Sequence, residues 1–239
     1  MIGLGTIINV GSIVLGSLFG MLIGARLSEK FRQTIIAGLG LFTFGYGLMT
    51  FLETSNPLIT LGGLLIGAML GEWWRIEDGL ERLGSALKKI FTKTKKANDG
   101  ESQSRFVEGF VTASLVFMIG PIAILGSIQD GLVGDVEMLT IKAILDGFAS
   151  IAFASSLGIG VAFSALTILV YQGGITLLAG FFSRFFSEMM MTEMTAVGGL
   201  ILMAVSISSL LDLRKIRTGN FLPALLITPL IVLVLESFF

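Results

Sequence analysis

From Met1 to Ala25 the chain carries no charged side chain, and that run constrains the fold more than any other feature. A helix rising 1.5 Å per residue crosses the hydrocarbon core of a bilayer in roughly 20 residues. The run has no basic leading segment and no small-residue cleavage site, so it reads as a span rather than a signal peptide. Further apolar stretches follow, and eight spans are expected in all, over residues 2–25, 33–52, 57–73, 106–128, 138–157, 160–182, 194–211 and 221–238. The stretch 138–182 must break, because an unbroken helix of that length would measure about 65 Å, twice the hydrocarbon thickness. Gly158-Ile159-Gly160 is the expected break.

The composition agrees. Only 14% of residues are charged, against about 25% in ordinary soluble domains. Of the 33 charged residues, 14 fall between Arg75 and Glu108, so the rest of the chain is barer still. A soluble globular enzyme is excluded. The expected fold is an all-α polytopic membrane protein, one transmembrane domain over residues 1–239. With no Cys and no His, disulfides, thiolate metal sites, the usual zinc and haem ligand and any Ser-His dyad are excluded. No catalytic residue, metal, cofactor or nucleic-acid partner is expected. An intramembrane aspartyl protease is also a poor match, because Gly131-x-x-Gly134-Asp135 lies in a loop.

Lysine and arginine set the orientation. Arg26, Lys30 and Arg32 follow span one, eight more basic residues lie between spans three and four, and Arg214, Lys215 and Arg217 follow span seven. With eight spans these loops share one side, and only Lys142 and Arg184 fall elsewhere. The positive-inside rule then places both termini outside a bacterial inner membrane. Residues 74–104 are expected to be a cytoplasmic insertion. Ile76, Leu80, Leu83, Leu87 and Ile90 step by four and three along one face of a helix lying on the membrane surface, followed by a mobile polar loop.

Two stripes of glycine recur every four residues: Gly16, Gly20 and Gly24 in span one, and Gly63, Gly67 and Gly71 in span three. Small residues at this spacing let helix backbones approach closely. They serve either internal packing or a homodimer interface. A short internal similarity, Leu27–Phe31 with Phe182–Phe186 and Asn56-Pro57 with Asn220-x-x-Pro223, matches spans 1–3 to spans 6–8 as an inverted repeat, a pattern found in secondary transporters.

Function is sought among polar residues that a span should not contain. Gly120-Pro121 interrupts span four, where proline removes a helix hydrogen bond, and freed carbonyls at depth need protein or a polar cavity around them. Ser127, Gln129 and Asp130 follow, and span five carries Lys142 and Asp146 four apart on one helix face. A carboxylate inside a span costs roughly 2.5–3.5 kcal/mol on insertion scales, so it needs a partner or a purpose. Lys142 and Asp146 either neutralise each other, or Asp130 and Asp146 line a path for an ion or a small polar or cationic solute. Gln129, Ser127, Asn9 and the carbonyls near Gly120 are candidate ligands beside them. Asn9 shares a secondary rank with Thr6, Tyr171 and Gln172, each of which reads equally as an interhelical hydrogen bond, while Asp135 and Glu137 read as a solvated mouth.

The run Gly120-Pro121-Ile122-Ala123-Ile124-Leu125-Gly126-Ser127-Ile128-Gln129-Asp130-Gly131-Leu132 resembles a signature of the bacterial YqgA/YdfK-like membrane proteins. Lys142-x-x-x-Asp146-Gly147-Phe148-Ala149, the segment Phe153–Val161, Gly5-Thr6-x-x-Asn9 and Asn220–Leu226 fit the same pattern. The resemblance implies a family of unknown function whose members are sometimes labelled transporters; it supplies no substrate and directs attention to Gln129, Asp130, Lys142 and Asp146. The residues and the resemblance together favour a secondary permease. A non-transporting membrane scaffold is the alternative, and its best support is the lysine-rich cytoplasmic helix.

Overall fold

Helices begin and end where the sequence supplies caps and breaks. Ser28 accepts the N–H of Phe31, Asn56 accepts that of Leu58 with Pro57 in the first turn, and Ser187 accepts that of Met190, each satisfying one orphan donor of a helix N-terminus. Gly158, at φ +78°, turns the chain at the expected break. The computed structural model describes residues 1–25, 28–91, 100–118, 121–182 and 186–238. Among them the helices are α1 (Leu4–Gly24), α2 (Glu29–Phe51), α3 (Pro57–Trp74), α4 (Ile76–Phe91), α5 (Gly100–Met118), α6 (Pro121–Val133), α7 (Glu137–Leu157), α8 (Gly160–Leu177), the short α9 (Ala179–Phe182), α10 (Glu188–Val205) and α11 (Ala224–Phe238). A π-helical turn, Ser206–Leu210, extends α10, and a 3₁₀ turn, Thr218–Phe221, precedes α11. No strand occurs among the described residues.

Among the described residues seven single helices are long and apolar enough to span a bilayer. The eighth candidate is the pair α5–α6, bent by 66°. Packing shows that this pair crosses. Ser12 Oγ bonds the carbonyl of Ala143, and Gly16, Gly20 and Gly24 lie against the carbonyls of Gly147, Ile151 and Ser155. All four contacts keep one sequence separation of 131 residues, so α1 and α7 run parallel. Two single spans lie between α1 and α7, so a parallel pair requires a third crossing, by α5–α6. The ends agree: Arg105 near the start of α5 donates to the carbonyl of Ser156 at the end of α7, while Gly134 after α6 sits beside Met1. Both chain termini therefore share one face, the terminal face, opposite a loop face carrying α4 and residues 211–217.

Both glycine stripes are used inside the chain. The α1 stripe lies on the α7 backbone. Gly63 and Gly67 of α3 meet Thr228 and Ala224 of α11, and Gly71 meets Asn220 of the 3₁₀ turn before it, in antiparallel order. A side chain at any of these six positions would enter its neighbour, so the stripes are not free faces for a second copy, and the homodimer expectation fails at these positions. The inverted repeat is not confirmed. α10 packs along α11, whereas α2 and α3, which the repeat would match to them, do not lie along each other among the described residues. Of the seven single spans, the one containing α10 is the most buried and α2 the least.

α4 forms over Ile76–Phe91, where the sequence predicts a surface helix, and part of its apolar face turns to protein. Leu80 packs against the core cluster that contains Phe106, Phe110 and Val205, while Leu83 stays exposed. Glu77 N–H donates to Asn220 Oδ1 at 2.8 Å, and Glu77 accepts the N–H of Gly219. This ties α4 to the 3₁₀ turn. α5 already starts at Gly100, inside the segment expected to be a mobile loop, and residues 92–99 lie outside the described residues.

Candidate functional site

The spacing of Lys142 and Asp146 puts both on one face of α7, and that face is turned inward toward α1 and α8. Lys142 Nζ and Asp146 Oδ2 are 2.7 Å apart, with both residues buried. Asn9 of α1 donates its amide to the same Asp146 oxygen at 3.0 Å and to Gln172 Oε1 of α8 at 3.1 Å. Asn9 and Gln172 are wholly buried. Three helices thus converge on one carboxylate, held by a cation and an amide that is itself shared with a second amide.

This network is only partly satisfied. Among the described residues Asn9 Oδ1 and Gln172 Nε2 have no partner, nor do the hydroxyls of Thr6, Ser17, Ser150 and Thr176. All six groups lie on α1, α7 and α8. Unpartnered buried polar atoms are rare in native proteins, and each one costs about 1–3 kcal/mol. Elsewhere the chain avoids that cost locally: Ser127 back-bonds to Ala123 O at 2.5 Å and Thr228 to Ala224 O at 2.8 Å. Donors and acceptors left open together are a surface for water, an ion or a polar solute.

Asp130 does not join the network. Its two oxygens accept the backbone N–H groups of Gly3 and Gly5 at 3.0 and 3.1 Å, at the N-terminus of α1. A carboxylate there meets orphan donors and the positive end of the helix dipole. Asp130 therefore caps α1 from a distant helix. Gln129 is exposed on the far side of α6, and Gly120 lies outside the described residues.

The comparisons with known proteins cover nearly the whole chain. The family described as "Protein of unknown function (DUF554)" matches residues 4–233. The chain belongs to this family. It is 30% identical over 238 residues to "Uncharacterized membrane protein YdfK" of Bacillus subtilis (strain 168), covering 98% of this chain and 97% of that protein. It is 29% identical over 224 residues to "Uncharacterized protein YqgA" of Escherichia coli (strain K12), covering 94% of each. No solved structure matches the chain. The family match includes Asn9, Lys142, Asp146 and Gln172.

In this DUF554 chain the structure brings Lys142 and Asp146 together with Asn9 and Gln172, two residues that the sequence offers equally as ligands or as interhelical hydrogen bonds. Tyr171 belongs instead to an apolar cluster with Ile124, Ile175 and Met194. Asp135 and Glu137 are exposed on the terminal face, where Asp135 accepts the N–H of Glu137. The reading misses Glu193 altogether. Its side chain is wholly buried and accepts from Ser55 N, Asn56 N, Thr54 Oγ1 and Thr60 Oγ1 at 2.7–2.9 Å. Thr54-Ser55-Asn56-Pro57 is a helix start rich in donors, and that was the available signal.

Proposed function

We propose that this membrane protein is a secondary permease for a small polar or cationic solute or an ion, without enzymatic activity. It would reside in a bacterial inner membrane with both termini outside. One observation carries the reading: Asp146, held by Lys142 and Asn9 in the membrane interior, stands beside unpartnered groups on Asn9 and Gln172. An ionisable residue within a span is by default a candidate for a solute or ion pathway. The site lies where span five meets spans one and six, which moves it away from Asp130 and from span four.

The alternative, a non-transporting scaffold, is favoured by the 2.7 Å contact between Lys142 and Asp146, which lets the two charges neutralise each other. Thermal unfolding of the detergent-purified protein against ions, amino acids, polyamines and organic acids separates the readings. A ligand at 100 times its dissociation constant adds about 2.7 kcal/mol when it binds only the folded state. The permease reading expects such a shift in the wild type and its loss in Asp146→Asn. A flat panel with a merely less stable variant supports the scaffold.

A further inference from the structure

The loop face opens into a cavity of about 1270 Å³ between α2, α4, α5 and the turn that follows α10. Glu108 and Thr112 of α5 line it, with Ser209, Leu210, Asp212 and Lys215 opposite. Leu210 is buried and also belongs to the cluster that contains Ile13, Phe117, Phe153 and Ile168. That cluster stands between the cavity and the polar network. Ile13 and Ile168 lie one helical turn from Asn9 and Gln172, and Phe153 lies two turns from Asp146, each toward the loop face. The Phe117 and Phe153 rings pack with centroids 6.1 Å apart.

The barrier is thin. α5 and α8 run parallel, as the bond from Ser114 to Thr167 and the seat of Gly160 on Phe106 show. From Thr112, on the cavity wall, to Phe117 is five residues, about 7.5 Å of helix. Narrow apolar constrictions of this kind close a path by excluding water.

We propose that this cavity is the loop-face entrance to the Asn9–Asp146–Gln172 network, closed by an apolar gate of Leu210, Phe117 and Phe153. The proposal rests on the permease reading for its purpose, but its test needs no solute. Because the chain has no cysteine, single cysteines report access to a small, membrane-impermeant, cationic thiol reagent without background. Ser209→Cys reports the cavity. Ser150→Cys, whose parent hydroxyl is fully buried between Phe153 and Asp146, reports the far side of the gate.

In purified protein Ser209→Cys reacts and Ser150→Cys is protected. Adding Phe117→Ala leaves Ser209→Cys reactive and raises the Ser150→Cys rate at least about tenfold, the equivalent of lowering a barrier by roughly 1.4 kcal/mol. Where Phe117→Ala does not accumulate as a monodisperse protein, Leu210→Ala opens the gate from the cavity side and carries the same test. Ser150→Cys reacting without any gate substitution overturns the proposal. So does its continued protection in the gate variant while Ser209→Cys reacts. A flat solute panel with an opened gate defeats the permease reading alone.

Discussion

Asp130 accepts the backbone N–H of Gly5 at 3.1 Å across 125 residues of sequence, so the first turn of α1 is anchored by the last turn of α6. The same carboxylate takes the N–H of Gly3. Hydrogen bonds to charged groups contribute about 1.5–3 kcal/mol, and Asp130→Ala is expected to lower the unfolding free energy by that order. Asp130→Asn keeps one acceptor and loses less. Neither is expected to abolish a ligand-induced thermal shift, because Asp130 stands outside the network around Asp146. Thermal unfolding with and without ligand checks both points.

Glu193 anchors α3 in the same way. Four donors converge on it, two of them backbone N–H groups of Ser55 and Asn56. Glu193→Ala strips the acceptor from the buried Thr60 hydroxyl and from three donors at the more open start of α3, and is expected to cost about 1–3 kcal/mol. Glu193→Gln retains one oxygen and recovers part of the loss. Equal melting temperatures for the two variants would show that the carboxylate does not act as a cap.

The two caps mark what a sequence conveys and what it withholds. Apolar runs give the spans, and the four-residue step from Lys142 to Asp146 gives one inward face, because both signals are local. The glycine stripes announce a close approach without naming a partner: nothing near Gly16 specifies Gly147. Asp130 attracted attention as a pathway residue because its true partners are main-chain donors, which leave no trace in residue identity. Glu193 draws no attention because the apolar run of span seven starts at residue 194, which puts the carboxylate just outside the expected span. The helix begins at Glu188, and a fully satisfied carboxylate can be carried inside.

At Gly20 an added Cβ would enter the main chain of Ile151, whereas at Gly11 it would meet no atom within 4 Å. Gly20→Val is therefore expected to separate α1 from α7 and to cost more than the 1–3 kcal/mol typical of overpacking, since backbone cannot rotate aside. Gly11→Ala is expected to be neutral or slightly stabilising. Thermal unfolding of the two variants side by side tests the contrast. A loss of oligomer without loss of stability in Gly20→Val would instead assign the stripe to a second copy.

The parallel seating of α1 on α7 can be trapped. A Cβ at position 147 would lie 3.5 Å from the Cβ of Ser12, inside the range that a disulfide bridges. Ser12→Cys with Gly147→Cys is expected to cross-link under mild oxidation, seen as a mobility shift on a denaturing gel that reductant reverses. Ser12→Cys with Ile159→Cys, at the opposite end of the partner span, is expected not to. The reverse result would remove the evidence that α5–α6 crosses the membrane.

Lys142 and Asp146 offer the sharpest separation of structure from function. Removing one partner of a buried ion pair typically costs 3–5 kcal/mol, because the other charge is stranded, whereas replacing both with apolar residues of similar volume is often neutral. Lys142→Met and Asp146→Leu are each expected to destabilise the protein strongly, and the double variant to recover most of the loss. The recovery should be incomplete, since Asn9 donates to the same Asp146 oxygen as Lys142 and loses an acceptor in the double variant. A thermodynamic cycle on unfolding measures the coupling. The permease reading expects the stable double variant to lose solute binding; the scaffold reading expects it to keep whatever the wild type does in the cell. A double variant as unstable as its parents would mean that the carboxylate is needed for α1 and α8 more than for the lysine, and Asp146→Leu together with Asn9→Leu would then be the pair to compensate.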